Sequence, residues 1–133
     1  MRKNILQYLE ESVLRFPEKT AFSNGKEDIS FAELHRASRA VGSALLARGA
    51  HREAVAIFTD KHPYAMAASF GVIYAGCFYV IIDPSMPVER VKLILDMVGA
   101  RFIIAADKCY AKAEAFGVQH LLRYGEAAST DAD

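Results

Sequence analysis

The sequence has no excess of either charge: 16 Lys and Arg stand against 16 Asp and Glu in 133 residues. A balanced chain has no electrostatic reason to seek nucleic acid or an anionic membrane, so neither is expected as a partner. Paired cysteine is missing too. Cys77 and Cys109 lack the close spacing of metal and redox motifs. Both sit among apolar neighbours, so they read as buried reduced thiols of a cytoplasmic protein. No glycine-rich phosphate loop is present, neither the Walker pattern nor the dinucleotide fingerprint. Asn24-Gly25-Lys26 contains a Gly-Lys pair but lacks the preceding glycine and the following Ser or Thr. His35, His51, His62 and His120 do not pair at helical ligand spacing, and no serine lies in a nucleophile elbow. A secretory signal is not expected, because Gln7, Glu10 and Glu11 interrupt the first apolar residues.

What is there is an ordinary globular composition, 53% hydrophobic and 24% charged. A chain of this length forms one domain and buries roughly two-thirds of its unfolded surface. The longest uncharged run extends from Pro63 to Ile82. It is long enough to cross a bilayer. Gly76 divides it, however, into a helix-like half and a half rich in strand formers, with turn and cap signals at either end. A helix followed by a strand is therefore expected, not a membrane span.

The remaining elements follow from periodicity and punctuation. A first helix is expected from Asn4, with Leu6, Leu9, Val13 and Phe16 on one stripe and Pro17 as its stop. Thr20–Ser23 and Glu27–Ile29 flank Asn24-Gly25-Lys26 as a hairpin. Ser30 and Glu33 form a capping box, with Ile29 and Leu34 as the staple. The helix they open carries Leu34, Ala37, Val41 and Leu45 inward and ends at Gly49. Strands are then expected at Ala54–Thr59, Cys77–Ile82, Phe102–Ala105 and Val118–Leu122. Between them come helices carrying Met66, Phe70 and Ile73, then Val91, Ile94, Leu95 and Val98, then Tyr110–Phe116. Such alternation predicts an α/β fold, a mostly parallel sheet with helices on both faces and a small hairpin before it. Uninterrupted apolar strands such as Phe78–Ile82 are expected to be buried on both sides. Residues 1–125 make the α/β body, and 126–133 a disordered polar tail.

Ligands in open α/β sheets gather beyond the carboxyl ends of strands. Asp60 and Asp83 both follow strands and are weak candidates for such a crevice; turn or helix capping is the favoured reading of each. His62, before Pro63, reads as a cap or surface residue. Gly71 and Gly76 are explained by close packing and by a helix end rather than by contact with a ligand.

Two blocks carry a family resemblance. Ile29-Ser30-Phe31-Ala32-Glu33-Leu34 resembles the first core motif of the adenylate-forming superfamily, which spans nonribosomal-peptide adenylation domains, D-alanine–carrier-protein ligases and acyl-CoA synthetases. Tyr74-Ala75-Gly76-Cys77-Phe78-Tyr79-Val80-Ile81-Ile82-Asp83-Pro84, followed by Pro87, Glu89 and Arg90, resembles the second. The lead-in Phe16-Pro17-Glu18-Lys19-Thr20-Ala21 also fits, and the likeness covers about Asn4 to Ala106. It implies the Rossmann-like N-terminal subdomain of an AMP-forming ligase. Such a parent uses ATP and Mg to make an acyl- or aminoacyl-adenylate, then transfers it to a thiol of coenzyme A or a carrier protein. The second block looks closer to amino-acid-activating members. Family members are several times longer, and their phosphate loop, nucleotide contacts, acyl pocket and catalytic lysine all come later. No catalytic, cofactor-binding or metal-binding residue therefore carries over. The resemblance implies a truncated, inactive piece. Lacking its cover, that piece is expected to self-associate, most simply as a two-fold homodimer, or to be marginally stable. The competing reading is a free-standing α/β binding or interaction module without catalysis.

The helix assignments give a first test. Leu45→Ala should cost roughly 2–5 kcal/mol through the cavity it leaves, and Ser30→Ala about 1 kcal/mol through the lost cap. Denaturant titration measures both, and a Leu45→Ala protein as stable as wild type would misplace the inward face of that helix.

Overall fold

The computed structural model describes residues 5–60 and 63–129. Asn4, expected as the first helix cap, and His62 lie outside the described residues. Helix α1 (Ile5–Arg15) is followed by a hairpin of β1 (Thr20–Ser23) and β2 (Asp28–Ser30). Asn24 shapes the hairpin turn: its Oδ1 accepts from the N–H of Lys26 at 2.9 Å and of Glu27 at 2.8 Å. Helix α2 (Phe31–Ala47) opens on the expected capping box. Ser30 Oγ accepts from Glu33 N–H, and Glu33 Oε1 accepts from Ser30 N–H, both at 3.1 Å. Ile29 and Leu34 are both buried in one cluster, as a staple requires.

Four parallel strands follow, each but the last separated from the next by a helix: β3 (Ala54–Phe58), α3 (Pro63–Tyr74), β4 (Phe78–Ile82), α4 (Val88–Val98), β5 (Phe102–Ala105), α5 (Tyr110–Glu114) and β6 (His120–Arg123). The strand order is β4-β3-β5-β6. Alternation along the strands feeds two cores. Val55, Ile57, Phe102 and Ile104 face one way, against Val41 and Leu45 of α2 and Ala68 and Val72 of α3. Ala56, Phe58, Ile103 and Ala105 face the other, against Val91 and Leu95 of α4 and Ala113 of α5. Helices thus cover both faces of a parallel sheet, as the sequence predicts. The uncharged run from Pro63 to Ile82 divides into α3 and β4, and no helix among the described residues is long and apolar enough to cross a membrane.

Helices α2 and α3 approach each other with almost no side chain between them. A Cβ placed on Gly71 would lie 2.6 Å from Val41 Cβ and 2.8 Å from Ser38 O, and one on Gly42 would lie 3.1 Å from Gly71 O. Only hydrogen fits at Gly71. Ser38, fully buried at the same crossing, donates its hydroxyl to Leu34 O at 2.5 Å within its own helix, so no polar atom is stranded. Gly76 ends α3 in the left-handed conformation, with φ +76°, where Cys77 N–H reaches back to Val72 O.

Besides its apolar packing through Leu9, helix α1 is tied to its neighbours by a carboxylate. Glu10 Oε1 accepts from Tyr74 Oη at 2.5 Å and its Oε2 meets His35 Nε2 at 3.0 Å, tying α1 to α3 and α2. The Tyr74 hydrogen bond is the main reason the Glu10 carboxyl titrates below the usual range. In α1, Leu9 is buried, but Phe16 at the end of the expected stripe is half exposed.

The structure corrects three expectations. Strand β4 is not buried on both sides: Phe78, Tyr79 and Ile81 are 54%, 42% and 51% exposed. The reason is its position at the sheet edge, which an apolar run cannot reveal. The last strand starts two residues later than expected: α5 begins at Tyr110 as expected but ends at Glu114, and a turn and loop over 115–119 carry the chain to His120. The polar tail expected from Glu126 begins differently as well. Helix α6 (Tyr124–Ala127) includes Glu126, and Ala127 is buried against the α2–α3 side of the sheet. Residues 130–133 lie outside the described residues.

The crossing predicts that Gly71→Ala destabilises by about 1–3 kcal/mol or more, since the added methyl meets a backbone carbonyl as well as Val41. Chemical denaturation would show it, and a neutral substitution would contradict the close approach. The carboxylate link predicts a pH effect of definite sign. A depressed folded pKa stabilises the fold above the ordinary carboxyl value, and that gain is lost as pH falls through the folded value. Glu10→Gln should flatten the acid limb of the stability curve.

Candidate functional site

The connections leave β3 and β5 in opposite directions. From β3 the chain passes through α3 to β4 on one side; from β5 it passes through α5 to β6 on the other. The carboxyl ends of these neighbours therefore open a crevice, the usual ligand position in such sheets. A cavity of about 420 Å³ lies there. Its floor is apolar, made by Ile57 of β3, Ile104 of β5, and Ala65 and Ala68 on the first turns of α3. Tyr64 and Tyr124 form one wall, with ring centroids 5.5 Å apart and planes 23° from parallel.

Charge is confined to the rim, and much of it is already engaged. Lys108 Nζ donates to Asp60 Oδ2 at 2.6 Å, which closes the loop after β3 onto the turn after β5. Asp60 is the main cause that raises the Lys108 pKa. Asp107 Oδ1 accepts from Gly125 N–H at 2.9 Å. A Cβ on Gly125 would lie 2.6 Å from Asp107 Oδ2, so this contact depends on a glycine at the start of α6. Burial pushes the Tyr124 phenol well above its ordinary range, with a smaller contribution from Tyr64. Glu27, from the hairpin, completes the rim.

Of the two aspartates flagged by position, the structure brings only Asp60 to the cavity. Asp83 serves a turn, accepting from Ser85 N–H at 2.8 Å. Asp107, Lys108, Tyr64 and Tyr124 were not foreseen. The signal for Asp107 was available, since it follows strand Phe102–Ala105 as closely as Asp60 follows its own. Tyr64 and Tyr124, which lie 60 positions apart in the numbering, gave none.

Lys108 is engaged by Asp60, and Cys109 is buried with its thiol pushed up by desolvation. No group of three potential metal ligands occurs among the described residues. A nucleotide triphosphate with its Mg does not fit this donor set. The described rim offers carboxylates from Glu27, Asp60 and Asp107 against the single ammonium of Lys108, so a polyphosphate would meet more like charge than opposite charge there.

Comparison with known proteins supplies the context. A family model described as AMP-binding enzyme matches residues 9–131. Nonribosomal peptide synthetase 9 of Aspergillus fumigatus is 30% identical over 117 residues, covering 87% of this chain and 10% of that protein. Bacitracin synthase 3 of Bacillus licheniformis is 31% identical over 107 residues, covering 80% of this chain and 2% of its own length. The chain thus spans a tenth or less of these curated relatives. Among solved structures, the N-terminal domain of FACL13 from Mycobacterium tuberculosis superposes with a TM-score of 0.83 at 19% identity, over 99% of this chain and 37% of that one. At that identity the likeness is one of fold.

Burial of the Tyr124 phenol yields a test with a sign. The neutral form is favoured in the fold, so the gain holds below the ordinary tyrosine value of about 10 and is lost as pH rises above it. Ultraviolet titration should show late ionisation from Tyr74 as well as Tyr124, and Tyr124→Phe should remove one phenol's share of it; an unchanged titration would place Tyr124 outside the cavity wall.

Proposed function

The chain belongs to the family of AMP-binding enzymes, and from that premise we propose that it is the amino-terminal part of an AMP-forming ligase. The proposed parent reaction has two steps. A carboxylate oxygen attacks the α-phosphorus of Mg-ATP, the α–β anhydride bond breaks, and pyrophosphate leaves an acyl- or aminoacyl-adenylate. A thiol sulfur then attacks the acyl carbon, loses its proton and releases AMP. The acceptor is a carrier-protein phosphopantetheine or coenzyme A, and an amino acid is the preferred acid. The family match over residues 9–131 carries this reading. The synthetase relatives favour the amino-acid branch. Two reduced, buried thiols agree with a cytoplasmic setting.

The 133-residue chain itself is proposed to lack this activity. Phosphoryl chemistry depends on positioned charge around the phosphates. The described residues supply an acidic crevice rim and a lysine already held by Asp60. In the parent, this part acts as a scaffold that later segments complete. One observation favours the alternative, a free-standing binding module: the cavity at the strand ends is formed without any further chain.

ATP–pyrophosphate exchange separates these readings. The purified chain should stay at background over a panel of amino and fatty acids. A chimera in which this chain replaces the matching segment of an active synthetase relative should retain exchange. Clear exchange by the isolated chain would overturn the scaffold reading, and a cooperatively folded but inactive chimera would favour the binding module.

A further inference from the structure

Strand β4 is an edge with none of the usual protection. Phe78-Tyr79-Val80-Ile81-Ile82 contains no charge, no proline and no glycine. Its register with β3 runs without a bulge from Ala54↔Phe78 to Phe58↔Ile82. Protected edges carry lysine, proline or bulges. The opposite edge differs: β6 is bounded by His120 and Arg123 and runs directly into α6.

Backbone polarity shows what β4 still offers. Phe78 N–H donates to Glu53 O at 3.1 Å, and Ile82 O accepts from Thr59 N–H at 3.3 Å. Phe78 and Ile82 therefore bond inward to β3, and Val80 does so by alternation. The N–H and C=O groups of Tyr79 and Ile81 point away from the sheet. Side chains repeat the pattern, with Tyr79 and Ile81 exposed on one face and Phe78 on the other.

We propose that β4 pairs with β4 of a second copy of this chain, antiparallel about a two-fold axis at Val80. The strand is self-complementary in that arrangement. Tyr79 and Ile81 of one copy exchange N–H···O bonds with Ile81 and Tyr79 of the other, and the eight-stranded sheet is continuous. Val80 meets Val80 as a non-hydrogen-bonded pair, and Phe78 faces Ile82. Charge favours the same partner. The chain has formal net charge zero and the strand has none, so copies approach without repulsion. Antiparallel pairing also brings exposed Asp83, past the carboxyl end of one strand, to the amino end of the other sheet. There exposed Arg52 lies one strand in from the edge. An isologous contact of this kind closes at two copies rather than growing into a fibre.

The test uses the full chain in a sedimentation-equilibrium series, with two variants. Wild type should reach twice the chain mass as concentration rises. Ile81→Lys should stay at chain mass with an unchanged circular dichroism spectrum, because it sets a lysine near the axis in each copy. Val80→Cys reports the axis itself. Non-hydrogen-bonded partners have Cα atoms about 4.5 Å apart, within the disulfide range. Diamide should therefore convert Val80→Cys, and not wild type, to a covalent dimer on a non-reducing gel. A wild-type chain that stays monomeric at every concentration would overturn the proposal. So would a dimer that survives Ile81→Lys and gives no Val80→Cys cross-link, which would assign self-association to another surface.

Discussion

The approach of α2 to α3 at Gly71 is the constraint on which the other parts of the fold depend. Val41 and Ser38 occupy the space a side chain at Gly71 would need. That closeness lets both helices reach the same face of a narrow sheet, so Val41, Leu45, Ala68 and Val72 pack on Val55, Ile57, Phe102 and Ile104 together. Interiors packed at crystal-like density tolerate little at such a point. The outer parts are arranged around this seam. Glu10 fastens α1 across it by reaching Tyr74 and His35, and Ala127 of α6 closes its far end.

The seam also explains where the crevice lies. Once α3 is fixed over β3 and β4, its first turns stand beside the carboxyl ends of β3 and β5. The chain leaves that point in two directions. Tyr64 is thereby set opposite Tyr124, and the Asp60–Lys108 pair joins the two loops across the rim. A binding crevice follows from topology alone, before any chemistry is added. On the function proposed above, this chain makes a half-apolar platform, and the phosphate chemistry falls to other segments of the parent.

Local signals carried much of this. Ser30 and Glu33 announce a capping box, and the α2 stripe from Leu34 to Leu45 is buried residue for residue. Asn24-Gly25 specifies the hairpin, and Gly71 reads correctly as a packing residue. Strand order was the hidden variable. Phe78–Ile82 looks like a central strand because its residues are apolar, yet lateral position decides burial, and no periodicity encodes lateral position. The cavity was legible only in part for a related reason. Asp60 could be flagged because it follows a strand, but the tyrosine wall joins the start of α3 to the start of α6, which only the folded chain brings together. The 3₁₀ turn at Asp107–Cys109 and the burial of Ala127 depend likewise on contacts made late in the chain.

Native-state amide hydrogen exchange measures the central claim most directly, since local opening free energies rank the parts of a fold by how far they depend on one another. If the α2–α3 seam organises the molecule, the amides of Val41, Leu45 and Val72 exchange only through global unfolding. Those of α1 and α4 should open earlier, by smaller fluctuations. Seam amides that exchange before those of α4 would contradict the account and move the organising contact to the other face of the sheet.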